Sequence, residues 1–136
     1  MLFRSVRVGA RSRVTAHARA YLERHGRLTF TAITVFERLR GYRAALLEGK
    51  PFERQLQQFE AFVAASIVLP FDEPAADRAA LIWAALGRKH RNALGDILNA
   101  AIASARNLPL VTRNRRDFEP IAKLEFAGLR LVDWTR

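Results

Sequence analysis

The chain reads as an α/β domain with a largely parallel sheet, and two observations carry that reading. Short apolar or β-rich runs recur at 28–31, 67–69, 108–111 and 129–132. Between them lie longer stretches whose apolar residues repeat at helical spacing. Strands separated by helices favour parallel pairing, because a parallel neighbour needs a crossover long enough to hold a helix.

The elements follow in order. Over 12–25, Val14, Ala18, Tyr21 and Leu22 share a helix face, and Gly26 stops it. Leu28, Thr29, Phe30 and Thr31 form a short strand signal. A helix is expected over 34–48, with Thr34 as its cap and Val35, Phe36, Leu39 and Tyr42 among its apolar residues. Pro51 suits a first helical turn, and Leu56, Phe59, Phe62 and Val63 keep helical spacing over 52–65. Ile67, Val68 and Leu69 are continuously apolar, which predicts a strand buried on both faces. Asp72 or Glu73 then leads a long helix through Trp83 and Leu86, expected to end in the basic run Arg88, Lys89, His90 and Arg91. Asp96 opens the next helix, to about Arg106. Strands at 108–111 and 129–132 complete the pattern, and Trp83 and Trp134 read as core aromatics.

Bulk properties narrow the class. A chain of 136 residues, 50% hydrophobic, makes one domain, 1–136, with a packed core. It has no cysteine, which excludes disulfides, thiolate metal sites and a cysteine nucleophile. No apolar run approaches the roughly 20 residues of a membrane span, and the first residues lack the apolar core of a secretory signal. The expected location is therefore cytoplasmic, with no membrane partner. The net charge of +10, from 23 basic and 13 acidic residues, favours a polyanionic partner such as nucleic acid, or an acidic protein. Lysine occurs only at Lys50, Lys89 and Lys123, and the arginine excess suits bidentate phosphate contacts and is equally accounted for by a GC-rich genome.

A few oxygen-bearing residues are candidates for chemistry. Glu37 sits in Thr34-Val35-Phe36-Glu37, where the plainer reading is a capping box. Asp96 lies in a helix first turn, where the dipole alone would favour it. Asn114 and Asp117 follow a strand, at the edge where open α/β sheets place sites, and they also suit turn chemistry. Hard divalent cations such as Mg2+ take donors of this kind together with water and substrate phosphate. His17, His25 and His90 show no ligand spacing, and His17 and His25 read as surface residues.

Taken in order, these pieces resemble a known family. Phe30-Thr31-Ala32-Ile33-Thr34-Val35-Phe36-Glu37-Arg38-Leu39-Arg40-Gly41, Leu69-Pro70-Phe71-Asp72, the Asp96 helix, Leu110-Val111-Thr112-Arg113-Asn114-Arg115-Arg116-Asp117-Phe118 and Leu129-Arg130-Leu131-Val132-Asp133-Trp134 are together similar to the PIN-domain ribonucleases of the VapC toxin type. The resemblance covers roughly 13–134. It implies a PIN-like, flavodoxin-like parallel sheet flanked by helices, and an acidic cluster that holds Mg2+ or Mn2+ and cleaves RNA. Glu37 matches the family's helix glutamate and Asp96 its central aspartate. Thr112, Asn114 and Asp117 match a Thr-x-Asn-x-x-Asp pattern. The implied catalytic residues are Glu37, Asp96 and Asp117, with Asn114 among the implied metal ligands. Arg113, Arg115 and Arg116 are candidates to contact RNA phosphates. The resemblance also implies a small antitoxin partner whose tail blocks the site, and a homodimer.

One departure stands out. The family begins with a strand ending in an Asp-Thr-Asn-like triplet, whose Asp is a metal ligand. This chain has no acidic residue before Glu23, so the first strand and its carboxylate are expected to be missing. Two readings follow. One is a metal-dependent endoribonuclease, the toxin of a toxin–antitoxin pair, with activity impaired by the missing carboxylate. The other is a non-catalytic PIN-like protein that binds RNA or antitoxin. A basic α/β domain without nuclease ancestry is a weaker third.

Overall fold

Among the described residues every strand pairing is parallel. The computed structural model describes residues 2–3, 12–112 and 114–133. The strands are β1 (Leu2–Phe3), β2 (Thr29–Thr31), β3 (Ile67–Leu69), β4 (Leu110–Val111) and β5 (Leu131–Val132). The helices are α1 (Ser12–His25), α2 (Ala32–Leu47), α3 (Glu53–Ala64), α4 (Glu73–Ala85), α5 (Leu94–Ala105) and α6 (Arg115–Ala122), with single 3-10 turns at Arg88–His90 and Glu125–Ala127. One ladder runs β1-β4-β5 and the other β2-β3, and the two meet where β1 lies beside β2. The predicted α/β architecture is therefore present. The first-strand position, expected to be missing, is taken by Leu2–Phe3, with Leu2 opposite Leu110 and Phe3 opposite Val111.

The sheet separates two apolar layers, and β4 shows how. Adjacent side chains on a strand point to opposite faces. Leu110 packs with Ile82, Ile97, Ile102 and Phe118 of α4, α5 and α6. Its neighbour Val111 packs with Ala18, Leu28 and Phe30, flanked by Tyr21 and Phe62 from α1 and α3. In β5, paired in register with β4, Leu131 joins the first layer and Val132 the second. Helices thus cover both faces.

The α4–α5 pair is the densest part of the first layer. Ala75, Ala79, Ala100, Ala101 and Ala103 are all buried, and small side chains let the two helices approach closely. Asp72 fastens one end of the pair. Its Oδ1 accepts the Ala75 N–H at 3.2 Å as the N-cap of α4, and its Oδ2 accepts from Arg106 at the end of α5 at 2.8 Å. The start of α4 and the end of α5 therefore meet, so the helices run antiparallel.

Four local expectations are corrected. Helix α2 begins at Ala32, with Thr31 as its N-cap accepting the Thr34 N–H at 2.9 Å, so Thr34 is not the cap. The reason is that β2 passes into α2 without a loop. Strand β3 is not buried on both faces: Ile67 is 43% and Val68 37% exposed, and among the described residues β3 pairs with β2 alone, at the sheet edge. Helix α4 ends at Ala85, and the basic run forms a separate 3-10 turn after Gly87. Arg91 nevertheless serves the helix end, donating to the Trp83 carbonyl at 3.1 Å and reaching that of Ala84 at 3.5 Å. Trp83 is not a core residue. It is 46% exposed, with the Arg91 guanidinium 4.0 Å from its ring centroid. Trp134 lies outside the described residues. His17 and His25 are exposed, as expected.

The Asp72 junction yields a stability prediction. Asp72→Ala removes a side-chain cap and a half-exposed ion pair, at a cost of about 1–2 kcal/mol. For a domain of this size that lowers the midpoint of thermal unfolding by roughly 3–8 °C. Asp72→Asn keeps a capping oxygen and should lose less. Circular dichroism melts of the three proteins check the order, and an unchanged midpoint for Asp72→Ala would count against the junction.

Candidate functional site

The best-defined polar cluster lies where β2 passes into α2 and meets the start of α5. Its centre is Asn99, fully buried on an otherwise apolar helix face. Asn99 Oδ1 accepts from the Thr31 hydroxyl and from the Thr34 hydroxyl, the latter at 3.1 Å. Its Nδ2 donates to the Gly95 carbonyl at 3.0 Å and to Glu37 Oε1 at 3.4 Å. An amide offers two acceptor and two donor positions, and here all are used. Thr31 accepts the Thr34 backbone N–H as well, so the hydroxyl that caps α2 also orients Asn99.

Gly95 explains how Glu37 comes so close. A Cβ built on Gly95 would lie 2.7 Å from Glu37 Oε2. Any other residue would push the carboxylate away, so glycine leaves the cradle into which it settles. Asp96 follows Gly95 in the first turn of α5, one turn before Asn99, and both acids are half-buried. Two carboxylates distant in sequence are thus drawn to one helix start, where the dipole and uncapped amides favour negative charge. The Thr34–Glu37 capping box does not form, because Thr31 is the cap.

Asn114 and Asp117 stand at the start of α6, past the carboxyl end of β4. The turn is held by Thr112, whose buried hydroxyl accepts the Asn114 N–H at 3.0 Å. Asn114 is the N-cap residue, but its side chain makes no capping bond. The Asp117 N–H donates to the Asn114 carbonyl at 3.0 Å, and its exposed carboxylate is in the first turn of α6. Asp117 lines a hollow of about 330 Å³ that reaches Ala93 and Ile97 at the start of α5. Arg115 and Arg116 are exposed in the first turn of α6, and Arg113 lies outside the described residues.

Glu37 therefore lies against the first turn of α5, the turn that carries Asp96, and Asp117 lines a hollow that reaches the same end of α5 from α6. Among the described residues no three His, Cys, Asp or Glu side chains are close enough to hold one metal ion. The side chains carried to this end of α5 are hard oxygen donors. The Gly95 cradle holds Glu37 at the turn that carries Asp96, and one or two carboxylates are what a hydrated Mg2+ uses when substrate phosphate and water complete its shell. The donor set suits such an ion. Sequence reading did not single out Thr31, Thr34, Gly95 or Asn99 as site residues. The available signal was Asn99 itself, a polar residue one turn past Asp96 in a helix otherwise built from Ile, Leu and Ala.

The start of α5 yields a second prediction. Replacing Gly95 by Ala adds up to about 1 kcal/mol of helix propensity but collides with Glu37. Gly95→Ala should stabilise the Glu37→Ala protein more than the unaltered one, with a coupling of roughly 0.5 kcal/mol or more. Urea unfolding of the four proteins measures it, and additive effects would show that Glu37 does not rest on Gly95.

Comparison with known proteins agrees with this architecture. Residues 6–124 match the PIN domain family. The tRNA(fMet)-specific endonuclease VapC of Shigella flexneri is 33% identical over 112 residues, covering 81% of this chain and 77% of that protein. The structure of DNA-bound VapBC from Salmonella typhimurium superposes with a TM-score of 0.73 at 29% identity, covering 91% of this chain and 86% of that one. FitAcB from Neisseria gonorrhoeae also gives a TM-score of 0.73, at 25% identity, covering 100% of this chain and 99% of its own.

Proposed function

The chain belongs to the PIN domain family, and from that premise we propose that it is a metal-dependent endoribonuclease, the toxin of a VapBC-type toxin–antitoxin pair. The observation that carries the proposal is the Glu37 carboxylate, set against the Gly95 cradle beside Asp96 and held by Asn99. The curated relative named above is an endonuclease acting on tRNA(fMet), and the DNA-bound neighbour is a VapBC assembly. The first supports RNA as substrate and the second an antitoxin as partner. A homodimer belongs to the same reading. Among the described residues no helix is long and apolar enough to cross a membrane.

The chemistry is hydrolysis of a phosphodiester. Glu37 and Asp96 would hold Mg2+ or Mn2+, with Asp117 and Asn114 completing the oxygen donors from α6. When bound, such an ion activates water and offsets charge developing on the phosphate. The protein's own residues position these groups. Asn99 orients Glu37, Thr31 and Thr34 orient Asn99, and Thr112 holds the turn carrying Asn114 and Asp117. Arg115 and Arg116, with Arg113, would supply phosphate contacts from the start of α6. The net charge of +10 draws RNA toward a site whose own side chains are acidic.

A second reading is binding without cleavage. It is favoured by the absence, among the described residues, of a three-residue metal group. One experiment separates the two. The purified protein is incubated with labelled RNA in Mg2+ or Mn2+, with and without chelator. Cleavage that chelator abolishes, and that Asp96→Asn and Glu37→Gln each reduce on the order of 100-fold or more, as expected for lost electrostatic stabilisation, is the predicted outcome. RNA binding with no cleavage in either metal would establish the second reading.

A further inference from the structure

The cations of this chain divide by what holds them. Arg78 donates to the Phe126 carbonyl at 2.7 Å, Arg130 to that of Asn107 at 2.9 Å, and Arg106 to Asp72 at 2.8 Å. Arg91 stacks on Trp83 while serving the end of α4. These guanidiniums fasten the fold. A second set does not. Lys89 of the 3-10 turn, Arg116 in the first turn of α6 and Lys123 at its end converge on one furrow, beside the His90 ring. Among the described residues none of the four is in an ion pair.

The furrow consists of two adjoining hollows of about 330 and 510 Å³. They share Lys89, His90 and Arg116 on the walls and Leu86 and Pro120 as apolar surface. The inner hollow contains Asp117 and touches the start of α5, and the outer one continues past Glu119 to Lys123. Gathering like charges from separate stretches of chain works against folding, and a polyanion lying among them reverses the sign of that term. Pro120, with the exposed edge of the largely buried Leu86, gives a sugar or an unpaired base a place to lie. His90, half-buried and lining both hollows, adds an aromatic ring on which a base can stack. Cations beside apolar and aromatic surface favour a single strand over a duplex, whose bases are already stacked inside.

Resting on the reading of the chain as a ribonuclease, we infer that this furrow is the track of single-stranded RNA next to the Asp117 end of the site. Phosphates lie along Lys89, Arg116 and Lys123, and a nucleoside lies between His90 and the Leu86–Pro120 surface. The residues this adds to substrate binding are Lys89, His90 and Lys123.

The test uses a fluorescent single-stranded RNA of mixed sequence. Its affinity is measured by anisotropy across a range of salt, with divalent metal chelated so that the strand stays intact. Lys89→Ala with Lys123→Ala should weaken binding on the order of tenfold at low salt and lower the log–log salt slope by about 1.4, near 0.7 for each phosphate no longer neutralised. His90→Ala should weaken binding about fivefold or more with little change of slope. Arg19→Ala with Arg54→Ala removes the same charge from residues that line neither hollow, and should leave the slope unchanged. Melting curves confirm that each variant folds. Equal losses from both double variants, or none from the furrow variants, would overturn the track. Cleavage in Mg2+ is assayed in parallel. Intact cleavage with KM unmoved by the furrow variants removes the track and leaves the nuclease. Absence of cleavage with furrow-dependent binding removes the nuclease and leaves the track.

Discussion

The buried amide of Asn99 is the interaction on which the site's geometry depends. It joins the end of β2, the start of α2 and the first turn of α5 through a single side chain. Only a group with both donors and acceptors can do this. A carboxylate at this position could not donate to Glu37, and an aliphatic residue would leave the Thr31 and Thr34 hydroxyls buried without their acceptor. Because the amide is uncharged, it can be wholly buried beside Glu37 without the desolvation cost of a second ion. The apolar small residues around it hold α5 against α4, so the helix start carrying Asp96 is as well located as the core itself.

The two ends of the α4–α5 pair are handled differently. At the end away from the site, Asp72 caps α4 and pairs with Arg106. At the site end, α4 stops at Ala85, a 3-10 turn follows, and Arg91 folds back over Trp83. The turn that closes the helical pair therefore projects Lys89 and His90 toward α6 instead of continuing the helix. Had the helix run through the basic residues, they would have been spread around its circumference. Breaking it at Gly87 gathers cations on one side of the cleft that holds Asp117.

The acidic and basic elements of the site thus arise from different physical causes. Glu37 reaches the helix turn that carries Asp96 because a cap, a glycine and a buried amide converge at one helix start. The cations near Asp117 come together because two chain segments end beside each other. A strongly positive protein can hold half-buried carboxylates at this place because helix N-termini stabilise them locally, independent of the net charge.

Much of this was legible in the residues alone. Alternating short apolar runs and helical periodicities determined the α/β class, since one-sided burial imposes its period on the chain directly. The positions of Glu37, Asp96, Asn114 and Asp117 relative to strand and helix ends were likewise readable. Other features required the tertiary structure. The run Ile67, Val68 and Leu69 looks the same at the edge of a sheet as at its centre, and only pairing with β2 alone left it exposed. Thr34 and Glu37 had capping-box spacing, yet Thr31 took the cap because strand and helix join without a loop. Trp83 had a core residue's periodicity, but α4 turned it outward beneath Arg91. The central role of Asn99 was hidden for the same reason. Its side-chain partners Glu37, Thr34 and Thr31 lie 62 to 68 positions away, and a hydrogen bond across that separation leaves no local pattern in sequence. Local periodicity determined what each segment is, and the packing of those segments decided which polar atoms meet.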